Sequence, residues 1–73
     1  MTYLINIFCC TENDIINQID IDGTLEEAIN LVNKLASDYS ENTAFNIHIL
    51  EDYQDGYEAP IAYKNPNNEW IIF

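Results

Sequence analysis

"IDIDGTLEEAINLVNKLASDY", residues 19–39, changes its hydrophobic period partway along, and that change decides the fold. Before Gly23, Ile19 and Ile21 alternate with Asp20 and Asp22, the period of a strand with one apolar face. After Gly23, Leu25, Ala28, Ile29, Val32, Leu35, Ala36 and Tyr39 recur at three- and four-residue steps. Glu26, Glu27, Asn30, Asn33, Lys34, Ser37 and Asp38 fill the other side, and only Leu31 strays. That pattern predicts an amphipathic helix. Thr24 suits its N-cap, and Glu27, three residues on, completes a capping box. Both glutamates of the first turn also sit at the positive end of the helix dipole.

Around this joint the chain reads as strands. In "TYLINIFCC", residues 2–10, Tyr3, Ile5, Ile7 and Cys9 share one face, and Leu4, Asn6, Phe8 and Cys10 the other. "TEND" at 11–14 has turn composition, and 15–21 reads as a second strand with Ile15, Ile19 and Ile21 on one face. Together they predict an antiparallel hairpin. Residues 44–50 alternate Phe45, Ile47 and Ile49 against Asn46, His48 and Leu50. Residues 51–57 form a loop, and 58–64 a strand that Pro60 marks as edge or bulged. A turn at 65–68 and a last strand at 69–73 complete the order β-β-α-β-β-β. The fold expected is α+β, one domain over residues 1–73. An antiparallel sheet of about five strands carries the helix on one face, and strand order is left open.

One helix covers one face only. The other face is expected to carry Leu4, Phe8, His48 and Leu50, with Ile71 and Phe73 beside them. Two outcomes stand open: a partner such as a second copy covers this surface, or bulges and twist fold the side chains inward.

Composition bounds the function. A 73-residue chain builds one small core, and 48% hydrophobic residues argue for a folded globule despite the charge. There are 13 Asp and Glu against 2 Lys and Arg, for a net charge of -11. That balance repels nucleic acid and anionic membranes and favours basic partners, divalent cations or plain solubility. Cys9 and Cys10 are adjacent on a strand and face opposite ways, so they do not bridge each other. Without a disulfide framework, a signal-peptide pattern or an apolar run near 18 residues, the expected setting is the cytoplasm of a producing or infected bacterial cell.

Asp20-Ile21-Asp22-Gly23-Thr24-Leu25 resembles the D-x-D-G-T-L signature of haloacid-dehalogenase-type phosphotransferases. The resemblance implies Asp20 as nucleophile and Asp22 as general acid/base. It covers six residues. The family pattern also needs a distant Ser or Thr, a distant Lys, later magnesium-binding acids and a doubly wound α/β domain longer than this chain. An EF-hand fits no better: with Gly23 at loop position six, Gln18 and Ile29 fall where oxygen ligands belong. His48 reads as a sheet-surface residue, and nothing brings Cys9 or Cys10 to it as a nucleophile. No catalytic residue, metal or cofactor is expected, and the chain reads as a non-enzyme.

The densest polar feature is "LEDYQDGYE", residues 50–58. Glu51, Asp52, Asp55 and Glu58 are interleaved with Tyr53 and Tyr57. Spaced carboxylates can imitate a row of phosphates, and tyrosines add flat contact area at low entropic cost. The plainer reading is a solvated acidic turn. Glu26 and Glu27 form a second acidic group. In size, charge and sheet-plus-helix content the chain is similar to small phage-encoded inhibitors: anti-CRISPR proteins, anti-restriction DNA mimics and uracil-DNA glycosylase inhibitors. No motif carries that similarity. It implies an inhibitor that blocks the basic nucleic-acid-binding surface of a host defence or DNA-processing protein, without itself binding nucleic acid or membrane. Two other readings stand beside it. One is a homodimeric interaction subunit using Leu4, Phe8, His48 and Leu50. The other is an immunity-type protein that neutralises a basic toxin.

Overall fold

The structure is a computed structural model and describes residues 1–11, 14–39, 41–53 and 59–73. Five strands form one antiparallel sheet: β1 (Thr2–Cys9), β2 (Asp14–Asp22), β3 (Thr43–Ile49), β4 (Ala62–Lys64) and β5 (Trp70–Ile72). Their spatial order is β2-β1-β3-β4-β5, so the first strand sits inside and the second forms an edge. One helix, α1 (Leu25–Leu35), crosses from β2 to β3. The α+β architecture and the order of elements are those expected from the hydrophobic periods.

The core lies between α1 and the face of the sheet carrying Tyr3, Ile5, Ile7, Phe45, Ile47 and Ala62. Ala28 and Val32 of the helix are fully buried against it, with Leu25, Ile29 and Leu31 packed at the margin. Leu31, the residue out of step with the helical stripe, therefore joins the core from the side. Tyr39 closes this layer edge-on to Phe45, ring centroids 5.9 Å apart. Each fully buried Ile or Phe here contributes about 1.5–3 kcal/mol of transfer free energy.

Local chemistry sets where the elements stop. Ser37 donates its hydroxyl to the Lys34 carbonyl, and the α-helix gives way after Leu35 to a 3-10 turn, Ala36–Asp38. Sequence periodicity alone carried the helix on to Tyr39. β3 starts one residue earlier than expected and ends at Ile49, where a second 3-10 turn, Leu50–Asp52, begins. The strand expected over 58–64 pairs only from Ala62, two residues beyond Pro60, which lacks the N–H a ladder needs. β5 spans three residues rather than five.

A bulge corrects one assignment. Ile7 pairs with Asn17 and Phe8 with Ile15, so Ile16 is the extra residue in β2. Cross-strand partners share a face, which puts Ile15 on the side away from the helix and not with Ile19 and Ile21. Both Ile15 and Ile16 are exposed.

The face away from the helix is not the open apolar surface that alternation suggests. Leu4 and His48, paired across β1 and β3, are 5% and 4% exposed. The Leu50–Asp52 turn folds against β1, and Tyr53 lays its ring edge-on to His48 at 4.9 Å. The chain thus covers this row itself. Phe8 and Leu50 are half-buried, Phe8 stacking on Tyr63. Between them runs a polar strip in which Gln18 donates to the buried Asn6 carboxamide oxygen at 2.8 Å. Ile71 and Phe73 do stand exposed.

Candidate functional site: an acidic end

The strand register brings together acids that are far apart in sequence. Tyr3 pairs with Ile21 on one side and Ile49 on the other. The segments leaving those two partners, Asp22–Glu27 and Leu50–Asp52, therefore emerge at the same end of the sheet. Asp20, Asp22, Glu26, Glu27, Glu51 and Asp52 all lie there, and all are exposed. Lys34, in the last helical turn, and Lys64, at the far end of β4, lie at the opposite end. They are the chain's two basic side chains, and there they offset part of the charge of the exposed Asp14, Asp38, Glu41 and Glu69, so the negative charge is weighted toward the first end.

Not every acid of this end is free to meet a partner. Glu27 Oε1 accepts from the Thr24 backbone N–H at 3.1 Å and from its hydroxyl at 3.2 Å. In return the Glu27 backbone N–H donates to Thr24 Oγ1 at 3.2 Å. That is the capping box expected from the sequence, and its carboxylate is already engaged. Asp22 accepts from the Thr2 hydroxyl at 3.4 Å and lies 3.5 Å from the Met1 amino group, the one ion pair among the described residues. Asp20, Glu26, Glu51 and Asp52 make no such bonds among the described residues.

Of the residues singled out in the acidic loop, Glu51 and Asp52 stand on the 3-10 turn as exposed carboxylates. Tyr53 is half-buried and packs on His48, which makes it a cover for the sheet more than a contact. Asp55, Tyr57 and Glu58 lie outside the described residues. Sequence alone ranks Glu26 and Glu27 second to the loop as contacts and leaves Asp20 and Asp22 out of the contact set. The register of β1 against both β2 and β3 is what joins all of them.

The D-x-D-G-T-L residues serve as a joint. Gly23 has φ +153° and donates its N–H to the Met1 carbonyl at 2.9 Å. Asp20 and Asp22 sit on an antiparallel edge strand, with both lysines at the other end of the molecule. A cysteine–histidine pair is also ruled out by register. His48 faces Leu4, whereas Cys9 faces Thr43, five residues along β1 and so about 17 Å away at ~3.3 Å per residue. Among the described residues no three His, Cys, Asp or Glu side chains converge as a metal site. None of their helices is long and apolar enough to cross a membrane.

The phenol of Tyr63 has a perturbed titration. Tyr63 lies beside Phe8 on the far face, and its phenol is pushed above the ordinary 10.0, first by burial and then by the neighbouring Cys10 thiol. Cys10 itself is an exposed free thiol.

No protein-family model matches the chain, and no curated protein and no solved structure matches it.

Proposed function

We propose that this protein is a non-enzymatic acidic inhibitor. Its acidic end occupies the basic, nucleic-acid-binding surface of a host defence or DNA-processing protein in the bacterial cytoplasm. The observation that carries this reading is the gathering of Asp20, Asp22, Glu26, Glu51 and Asp52 at one end, with both lysines at the other. A predominantly negative cluster steers association onto a surface of opposite charge and competes there with phosphates. The reading is tested by capture from a nuclease-treated lysate. The captured partner is expected to be basic, and to be released by salt and by competing duplex DNA. A partner that stays bound in high salt and ignores DNA refutes it.

A second reading, a homodimeric interaction subunit, draws on the exposed Ile71 and Ile72 of edge strand β5. The row nominated from sequence, Leu4 and His48 with Phe8 and Leu50, supports it less, because its first two members are buried within one chain. Sedimentation distinguishes the two: a dimer that Ile71→Asp converts to a monomer favours the second. An immunity-type protein against a basic toxin shares the acidic geometry, and the identity of the captured partner separates it from the first.

A further inference from the structure

The end of the molecule opposite the six-acid cluster holds a buried cation. Lys64 is only 4% exposed, although lysine is almost never fully buried without a counter-charge. It follows Ala62 by two positions in β4, so it faces the helix with the core. Its ammonium donates to the Asn68 carboxamide oxygen and lies 5.9 Å from the centre of the Phe45 ring. No carboxylate among the described residues is within ion-pair distance of it. A purely structural role, pinning the turn in which Asn68 adopts φ +66°, uses one of its three N–H groups.

Lys64 lines a cavity of about 410 Å³ between the last turn of α1 and the β4–β5 turn, walled by Asn33, Ser37, Asn68 and Trp70. That volume falls in the range of small-molecule sites. The hydrogen-bonding capacity of these walls is biased. Trp70 donates its indole N–H to the Asn33 carboxamide oxygen at 3.0 Å, and Lys64 occupies that of Asn68. An indole N–H and an ammonium are donors only, so each amide turns its oxygen toward that donor and keeps its NH2 to donate. The cavity therefore offers two amide NH2 groups and an incompletely bonded ammonium, against one hydroxyl, Ser37, whose proton is committed to the Lys34 carbonyl. Donors of this kind recognise an anion.

We propose that this cavity binds a small oxyanion, a carboxylate or phosphate group, on Lys64 with Asn33 and Asn68. The net charge of -11 does not forbid this. At physiological salt, charges more than about 8 Å away are largely screened, whereas a buried cation acts at contact. Selection of the anion is thus a short-range matter of hydrogen bonds, independent of the acidic end and of the function proposed for it.

Trp70 is the chain's one tryptophan and lies in the cavity wall, so its fluorescence reports occupancy. Inorganic phosphate and acetate are titrated separately into the full chain at constant ionic strength. The result expected is a saturable change with at least one of them; which one responds identifies the anion class. Lys34→Met, which alters the exposed lysine outside the cavity, leaves that titration unchanged. Lys64→Met weakens it at least tenfold. Asn68→Asp supplies a carboxylate to Lys64 from within the chain, and it also weakens binding at least tenfold while preserving the fold. It therefore decides the matter should Lys64→Met fail to fold. No saturable change with either anion overturns the proposal, as does undiminished binding in Asn68→Asp.

Discussion

Gly23 makes room for the pair that starts the helix. A Cβ built there falls 2.8 Å from Glu27 Oε1, the oxygen that accepts from Thr24, at a φ that side chains rarely adopt. Gly23→Ala is expected to cost about 1–3 kcal/mol, from backbone strain and the displaced cap. In a Glu27→Ala background the same change should cost less, because the clash is gone; a double-mutant cycle by urea denaturation measures the difference. Thr24→Ala should cost about 1 kcal/mol through the lost cap. Asp20→Asn, on an exposed edge strand, should stay within about 0.5 kcal/mol of the parent. Tyr63 gives a pH dependence with a definite sign. Its folded-state value is raised above 10.0, so the folded chain keeps the proton after the unfolded chain has lost it. Stability from this residue is full below pH 10.0 and falls as pH rises beyond it. Denaturation midpoints followed across that range should show a shallower decline in Tyr63→Phe.

Among the elements, the helix and the two central strands carry the stability. Ile47, fully buried on β3 between Ile5 and Ala62, should cost about 2–5 kcal/mol when cut to Ala, read from the denaturation midpoint. These elements were legible in sequence because each keeps one period throughout: two for Tyr3, Ile5 and Ile7, and three to four for Leu25, Ala28, Ile29 and Val32. The face of Ile15 was not legible. One extra residue at Ile16 reverses the alternation, and nothing in "IINQIDI" distinguishes a bulge from a regular strand. Nor was the covering of Leu4 and His48, which depends on the Leu50–Asp52 turn folding back, a tertiary event that alternation does not encode. Lys64 was readable in principle. Its spacing from Ala62 places it on the core side, but a charged residue in a short strand is ordinarily assigned to solvent.

For the whole molecule, the decisive feature is where its charge lies. Composition gave the excess of 13 acids over 2 bases, but only the register of β2, β1 and β3 gathers six of those acids at one end. Location, and not net charge alone, is therefore expected to govern binding. Two triple variants change net charge by the same amount. Glu26→Gln with Glu51→Gln and Asp52→Asn neutralises the acidic end. Asp14→Asn with Asp38→Asn and Glu41→Gln neutralises exposed acids at the other. The measurement is the affinity of each for the basic partner captured from lysate, across a salt series. The first triple is expected to lose roughly 0.2–1 kcal/mol per removed charge and to show a flatter salt dependence, while the second binds as the parent does. Equal losses in the two triples, or no loss in the first, would contradict the claim that the acidic end is the binding surface.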